Sequence, residues 1–190
     1  MRKARPLPVC DHVLSPVSQP EARRANWWPA ILMAIGLAGL AVPAASPPTP
    51  RLIWNASASA PVGLYAVSPP ARLRRGDMAF AFAPPPAREL AASRHYLPRN
   101  VPLLKRVAAM EGDEICARDL GVSINGRPVA VRRETDRLGR PLPAWQGCVR
   151  LGRNDLFLLM TDSPDSFDGR YFGVSERQQI VGRATALWLP

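Results

Sequence analysis

Proline is the residue that most restricts what this chain can fold into, since it occurs 22 times among 190 residues. Proline lacks a backbone N–H and disrupts the interior of helices and of central strands. The sequence therefore favours short strands, turns and irregular loops over long helices. Because 47% of the residues are hydrophobic, the chain can still bury a core, and its length allows one domain with a short additional segment.

From Leu52 onward the sequence is typical of a β protein. Short apolar runs recur at 62–67, 78–83, 103–109, 156–160 and 180–189. Turn residues separate them, among them Pro69–Pro70, Gly76–Asp77 and Gly112–Asp113. The segment 122–131 predicts a hairpin, because Asn125–Gly126 suits a type I′ turn, and only residues 87–94 look helical. We predict a mainly β fold, built as a bent sheet or a partly open barrel.

One apolar run, from Trp27 to Val42, suggests a membrane segment. Its 16 residues are interrupted only by Pro29, and as a helix they would span roughly 24 Å, against a hydrocarbon core of about 30 Å. Extension to Ala45 would give roughly 28 Å. We expect an uncleaved transmembrane helix at 27–45. A cleavable signal sequence, with VPAAS as its cleavage site, and a helix packed in a soluble core are the alternatives.

Basic residues before this run indicate its orientation, because they favour the cytoplasmic side of a membrane. We therefore predict a disordered basic cytoplasmic tail at 1–26 and a single-pass anchor in the inner membrane at 27–45. The remainder, 46–190, would be an exported domain in the periplasm. A cleaved signal sequence would export the same domain.

The net charge of +10 suits an anionic membrane surface or a nucleic acid. The arginines are scattered and no nucleic-acid motif accompanies them, so we expect a solvated basic surface and no nucleic-acid partner. Only Cys10 has a histidine close to it in the sequence, His12, so the three cysteines make a poor zinc site, and we expect neither a metal nor a cofactor. In an exported domain Cys116 and Cys148 can form a disulfide, with two unpaired cysteines as the alternative.

Lysine is rare, since 23 of the 25 basic residues are arginine and the only lysines are Lys3 and Lys105. Codon bias explains most of such a skew, but arginine cannot lose its proton in a protein whereas lysine can. Among Leu103, Leu104 and Val107, burial would lower the pKa of Lys105. A neutral amine can take a proton from a serine hydroxyl. Strand alternation leaves open whether Lys105 points inward or to water.

The segment 55–65, NASASAPVGLY, offers a serine for that amine. Alternation puts Ser57 and Ser59 on the same side of an extended segment. One serine can attack while the other donates a hydrogen bond to the developing oxyanion, although a plain polar loop would look the same. No G-x-S-x-G elbow occurs, and His95 lies in a polar loop, so histidine is a poor candidate for the base.

A third segment, 161–173, is dense in carboxylates and hydroxyls and reads TDSPDSFDGRYFG. Asp168 and Arg170 can pair there across a tight turn, although a generic acidic turn has the same composition. Each of the three segments is weak evidence by itself, so their order and spacing carry the interpretation.

Together the three segments resemble the type I signal peptidases, most closely the conjugative-transfer (TraF-type) branch. The first is similar to N-x-[ST]-x-S-x-P-x-G-x-Y through Asn55, Ser57, Ser59, Pro61, Gly63 and Tyr65. The second is similar to K-R-V-x-x-x-x-G-D through Lys105, Arg106, Val107, Gly112 and Asp113. The third is similar to D-N-S-x-D-S-R-Y-W-G through Asp165, Ser166, Asp168, Arg170, Tyr171, Phe172 and Gly173. Thr161 and Gly169 depart from the pattern, where the family has glycine and serine.

The resemblance implies a signal-peptidase-like catalytic domain with a Ser/Lys dyad. Ser59 would be the nucleophile and Lys105 the general base. The backbone N–H of Ser59 and the hydroxyl of Ser57 would form the oxyanion hole. The supporting residues would be Ser166, which orients the amine, and Asp168 and Arg170, which hold the third segment against the site.

The implied partner is an exported precursor, cut beside the membrane after small residues such as alanine. For the TraF-type branch that precursor would be a propilin matured for conjugative transfer, with cyclisation of the product left open. The alternatives are a general signal peptidase and a non-enzymatic envelope scaffold for pilus assembly. A self-cleaving repressor-type peptidase shares the Ser/Lys chemistry, but the apolar run at 27–45 argues against it.

Overall fold

The computed structural model describes residues 26–45, 51–70 and 73–190. The chain divides into two compact units, Met1–Pro48 and Thr49–Pro190. The tail predicted at 1–26 lies outside the described residues except for Asn26.

Helix α1, Trp28–Ala45, is the described part of the first unit. Its sequence is apolar on every side, and large side chains such as Trp28, Leu32 and Leu40 are exposed. Within the described ranges, none of the helices has both the length and the apolar character needed to cross a membrane. The expected transmembrane anchor at 27–45 is therefore not confirmed.

The second unit is mainly β, as predicted. In chain order its strands are β1 (Leu52–Asn55), β2 (Gly63–Ser68), β3 (Met78–Ala81), β4 (Leu103–Ala109), β5 (Glu114–Arg118), β6 (Gly121–Ile124), β7 (Arg127–Val131), β8 (Gly147–Arg150), β9 (Asp155–Leu158), β10 (Ser175–Glu176) and β11 (Ile180–Trp188). The helices of this unit are α2 (Pro85–Ser93), the single turn α3 (Gly169–Phe172) and a 3₁₀ turn at Arg177–Gln179. The five apolar runs correspond to β2, β3, β4, β9 and β11, and α2 confirms the helical prediction at 87–94.

The strands form two antiparallel sheets. Seven strands in the order β1-β2-β11-β3-β4-β9-β10 make the larger sheet, which is curled and open because β1 and β10 do not pair. Four strands in the order β7-β6-β5-β8 make the smaller sheet. Strand β11 comes last in the chain but lies between β2 and β3, so the C-terminal strand joins the serine segment to the rest of the sheet.

The hairpin predicted at 122–131 is formed by β6 and β7. Asn125 and Gly126 both have positive φ, 50° and 76°, as a type I′ turn requires. On the other side of this sheet, Cys116 in β5 stands directly opposite Cys148 in β8, and the two form a disulfide with an S–S distance of 2.06 Å. The bond therefore joins the edge strand β8 to the sheet.

The core follows from the central position of β4. Val107 and Ala109 are fully buried on one face of this strand, where Val107 packs against β3 and β9. Leu104 is buried on the other face, in a cluster with Tyr65 and Ala60 of the serine segment. Both faces of β4 thus contribute to the core, and a charged side chain whose tip stays on one of these faces is buried with it, as Lys105 is at 2% exposure.

Candidate active site

Asn55, the last residue of β1, shapes the loop that carries the serines. Its amide Nδ2 donates to three carbonyl oxygens, those of Ser57 (3.0 Å), Ala60 (3.1 Å) and Pro61 (2.9 Å). Its Oδ1 accepts the backbone N–H of Ser57 at 3.1 Å. One side chain thus satisfies backbone groups on both sides of Ser59 and fixes the loop conformation.

Tyr65 and Gly63 hold the same loop from β2. The buried Tyr65 hydroxyl donates to the carbonyl oxygen of Pro61 at 2.7 Å. Burial raises the pKa of Tyr65, with Arg106 acting in the opposite direction, so the phenol keeps the proton that it donates. Gly63 lies so close to β11 that an added Cβ would overlap the carbonyl oxygen of Trp188. The motif positions around the serines therefore have structural reasons that the sequence did not reveal.

Lys105 meets Ser59 across the sheet. The Lys105 Nζ lies 2.7 Å from the Ser59 Oγ, although the two residues are 46 positions apart. The Lys105 side chain is 2% exposed and shares the buried face of β4 with Val107 and Ala109. The alternative in which Lys105 points to water is therefore wrong.

Burial gives Lys105 an unusual acidity. Desolvation lowers its pKa from 10.5 to about 8, while the nearby charges act in opposite directions, Asp168 raising it and Arg170 lowering it. Desolvation decides the outcome because these two charges belong to one ion pair and largely offset each other. Near pH 8 about half of the molecules carry a neutral amine, which can accept the Ser59 hydroxyl proton.

Ser57 lies beside Ser59, with their hydroxyl oxygens 2.9 Å apart. The backbone N–H of Ser59 donates to the Ser57 Oγ at 3.3 Å. The two groups expected to form the oxyanion hole are thus neighbours, but without substrate the N–H is directed at the Ser57 hydroxyl.

The third segment folds around a buried ion pair between Asp168 and Arg170, with Arg170 Nε 2.9 Å from Asp168 Oδ1. Asp168 also accepts the backbone N–H groups of Met160 (3.0 Å) and Arg170 (3.2 Å). Arg170 donates further to the carbonyl oxygens of Met160, Ser163 and Pro164 at 2.6, 3.1 and 2.9 Å. These hydrogen bonds compensate for the loss of water around both charges.

Ser166 does not make the contact expected of it. Its hydroxyl is completely buried and has no hydrogen-bond partner among the described residues. The structure therefore does not show Ser166 orienting the Lys105 amine, and that role stays a prediction.

Asp113, at the end of the second segment, has a structural role. The Asp113 carboxylate accepts the backbone N–H of Met110 at 2.9 Å and the Asn125 amide at 2.8 Å, and it pairs with Arg75. Burial raises the pKa of Asp113, but these hydrogen bonds and Arg75 outweigh it and hold the pKa below its usual range. Asp113 thus joins the turn after β4 to the hairpin of the smaller sheet.

A cleft of about 630 Å³ opens at the serine and the lysine. Its apolar lining comes from three parts of the unit and includes Leu97, Leu103, Leu138, Leu142 and Phe167. Its charged lining comprises Arg94, Lys105, Arg133, Glu134, Asp136, Arg137, Arg140 and Asp165. One wall belongs to residues 132–146 between β7 and β8, called here the cleft loop.

The cleft loop is tied to the third segment and to the end of α2. The backbone N–H of Arg133 donates to the Tyr171 hydroxyl at 3.1 Å, and Trp145 Nε1 donates to the carbonyl oxygen of Gly169 at 3.0 Å. From the α2 side, the Tyr96 hydroxyl donates to Asp136. The sequence analysis missed this loop, although its length for a connection in a compact domain was a usable signal.

Asp136 organises the middle of the cleft loop. Its carboxylate accepts the backbone N–H groups of Leu138 and Arg140, both at 2.9 Å, and pairs with Arg140 Nε at 2.7 Å. Burial raises the pKa of Asp136, but the hydrogen bonds from Tyr96 and Arg140 outweigh it and keep the pKa well below its usual range. The carboxylate therefore stays charged, and its hydrogen bonds tie Leu138 and Arg140 to Asp136.

Comparison with known proteins places the chain in a family. The model of the family described as signal peptidase, peptidase S26, matches residues 24–189. The chain belongs to the signal peptidase (S26) family. Two plasmid transfer proteins TraF from Escherichia coli are 37% identical over 138 residues and 35% identical over 147 residues. These alignments cover 67% and 70% of this chain, and 77% and 82% of the relatives.

A solved signal peptidase I from Enterococcus faecalis V583 is 19% identical and covers 61% of this chain and 99% of its own, with a TM-score of 0.36. That likeness is too weak to carry an argument. The family match and the TraF relatives confirm the resemblance stated from the three segments.

Packing explains one departure from the family pattern. A Cβ at Gly169 would lie 2.7 Å from the carbonyl oxygen of Leu158 and 2.7 Å from Cε2 of Phe157. The serine of the signal peptidase pattern therefore has no space here. Thr161 is exposed and its hydroxyl contacts only Asp162 among the described side chains, so nothing in the structure explains that departure.

One group of potential metal ligands occurs among the described residues, formed by Glu114, Cys116 and Cys148. Because the two sulfurs are bonded to each other, they cannot act as thiolate ligands. This group is therefore not a metal site in the disulfide-bonded protein.

Proposed function

We propose that the protein is a serine endopeptidase in which Lys105 is the general base and Ser59 the nucleophile. The observation that carries this proposal is the 2.7 Å distance between the Ser59 Oγ and the buried Lys105 Nζ. A pKa of about 8 makes the amine a usable base near physiological pH. His95 is not among the residues that line the cleft.

In the proposed reaction the Ser59 hydroxyl proton moves to Lys105 while the oxygen forms a bond to the peptide carbonyl carbon. The Ser59 N–H and the Ser57 hydroxyl stabilise the negative charge on the carbonyl oxygen. When the C–N bond breaks, the Lys105 ammonium gives its proton to the leaving amine. Water then releases the acyl group by the same route, or an amine takes its place and the product is joined to that amine.

We propose an exported precursor as the substrate, and maturation of a propilin for conjugative transfer as the process. The two relatives named plasmid transfer protein TraF support this assignment, since they align with most of the chain. The assignment of Ser166, Asp168 and Arg170 as supporting residues is part of the same proposal.

We also propose that the protein is held at the inner membrane with its catalytic unit in the periplasm. Signal peptidase family membership supports this, and so does the disulfide, because disulfides persist in oxidising compartments. Apolar side chains exposed on α1 favour contact with lipid. Membrane fractionation with alkaline extraction, followed by proteolysis of spheroplasts, tests the placement. A product found entirely in the cytosol would overturn it.

The catalytic assignment is tested with Ser59→Ala and Lys105→Ala, assayed for precursor processing in cells. Both changes are expected to abolish processing, because each removes one partner of the proton transfer. Ser93→Ala and Arg153→Ala are matched controls, since neither residue lines the cleft, and both should process normally. Normal processing by either dyad variant would refute the assignment, and normal transfer by both would favour the non-enzymatic scaffold.

The pH profile gives a second test. Because only the neutral amine accepts a proton, kcat/KM should rise about tenfold per pH unit below the pKa of Lys105, about 8, and level off above it. Peptide cleavage measured from about pH 5 to about pH 10, on both sides of that pKa, shows the rise. Full activity well below neutral pH would argue against a lysine base.

A further inference from the structure

The lining of the cleft includes two exposed arginines that share one carboxylate. Arg133 and Arg137 extend from the cleft loop to Asp165 of the third segment, with NH2 to Oδ distances of 2.6 and 3.1 Å. All three side chains are exposed, Arg137 to 86%. This arginine pair, Arg133 and Arg137, therefore has two positive charges facing a single negative one.

The other charges of the cleft do not cancel this excess. Asp136 is occupied by Tyr96, Arg140 and two backbone N–H groups, with Arg94 at 3.8 Å. Glu134 is the remaining carboxylate of the lining. The cleft thus has four guanidinium groups and three carboxylates, which leaves one net positive charge even when Lys105 is neutral.

The cleft that contains both the arginine pair and the dyad also has apolar lining residues, among them Leu103, Leu138 and Phe167. A peptide that reaches from Ser59 to the arginine pair would place small or apolar residues on this surface. Guanidinium groups bind carboxylates with directed hydrogen bonds, and two of them suit one carboxylate.

We propose that the arginine pair is a specificity site for an acidic substrate residue a few positions from the scissile bond. Asp165 is then an internal competitor, because it occupies in the free protein the guanidinium groups that the substrate carboxylate would use. The inference rests on the proposed function, since it names a feature of the peptide that the same cleft would bind.

Because Asp165 competes with the substrate carboxylate, two substitutions should change the preference for an acidic peptide in opposite directions. Replacing both arginines by glutamine should remove the preference for an acidic peptide. Asp165→Asn should increase that preference, because it frees the arginines while keeping the size of the side chain. If the three residues served only to close the cleft loop, both changes would weaken every peptide alike.

Binding is measured with the full chain in detergent, carrying Ser59→Ala so that no peptide is turned over. The probes are fluorescein-labelled peptides containing an Ala-Ala bond, with Glu or Gln placed in turn at each neighbouring position. At the best position the Glu peptide should bind about three- to fivefold more tightly, as expected for exposed ion pairs. The ratio of the affinities for the Glu and Gln peptides should fall towards one in about 0.5 M NaCl, where such charges are screened.

Arg133→Gln with Arg137→Gln should bind the Glu and Gln peptides equally, with the affinity for the Gln peptide unchanged. Arg137→Gln alone reports the same effect without a risk to folding, because that side chain is almost fully exposed. Arg153→Gln is the matched control, since Arg153 is 88% exposed, pairs with Glu111 and lies outside the cleft lining.

Absence of a Glu preference at every position would overturn the inference, and so would equal losses for both peptides in the Arg and Asp165 variants. Cleavage of the same peptides by the unmodified protein separates this result from the proposed function. Cleavage without a Glu preference refutes the specificity site alone. A Glu preference without cleavage supports the specificity site and refutes the peptidase.

Discussion

Burial of Lys105 should destabilise the folded protein in a way that depends on pH. The pKa of the amine falls from 10.5 to about 8 on folding, a difference of about 2.5 units, and each unit corresponds to about 1.36 kcal/mol. Below about pH 8 the free energy of unfolding is therefore lower by about 3 kcal/mol than it would be with a neutral group at this position.

The sign follows from the protons bound in each state. Between about pH 8 and pH 10.5 the unfolded chain keeps the Lys105 proton while the folded protein releases it. The unfolded state then binds one proton more, so stability rises with pH across this window. Below about pH 8 the whole cost is present, and above pH 10.5 it has disappeared.

Lys105→Met removes the charge and keeps a long, flexible side chain in the same space. Urea unfolding of the variant and of the unmodified protein gives the difference in unfolding free energy at each pH. From pH 6 to pH 10 we expect the variant's relative advantage to shrink by about 2 to 3 kcal/mol. Contributions that do not titrate, such as the altered side-chain packing, shift all values equally.

Arg106→Met is the control, because Arg106 is the next residue of β4 and keeps its charge throughout this range. Its effect should not vary with pH. A Lys105→Met difference that is equally flat would show that the amine is not desolvated in the folded protein, and the argument for a lysine base would lose its physical foundation.

Three further predictions concern the loop, the smaller sheet and the third segment. Asn55→Ala should lower kcat about 100-fold in a peptide assay, since misplaced catalytic groups have effects of this size; unchanged kcat would show that the loop keeps its shape without the amide. Replacing Cys116 and Cys148 together by alanine should lower the unfolding free energy by roughly 3 to 4 kcal/mol, because the bond closes a loop with a sequence separation of 32. Chemical denaturation measures this loss, and an unaltered midpoint would contradict it. Gly169→Ser restores the family residue, yet it should destabilise by about 1 to 3 kcal/mol through overcrowding against β9; a thermal melt with no decrease would refute the packing argument.

The sequence was most informative where structure depends on neighbours in the chain. Apolar runs between turn residues located β2, β3, β4, β9 and β11. The dipeptide Asn125–Gly126 located the hairpin, because both residues tolerate the positive φ that the turn needs. The three segments together identified the family, since their order does not depend on how the chain folds.

Predictions about burial and partners were less complete. Alternation left the direction of Lys105 open, because periodicity does not say whether a strand lies at the edge or in the centre of a sheet. The structure places β4 between β3 and β9, and only this arrangement buries the amine. The role expected of Ser166 came from resemblance, and its hydroxyl has no hydrogen bond among the described residues.

The sequence by itself thus determined the mainly β character, the hairpin, the family and the identity of the two dyad candidates. Tertiary structure alone decided that Ser59 and Lys105 lie 2.7 Å apart, that desolvation lowers the pKa of the amine, and that the cleft loop forms a wall beside them. The physical reason is that local patterns report on residues a few positions apart. Desolvation and hydrogen bonds between distant segments depend on the pairing order of the strands.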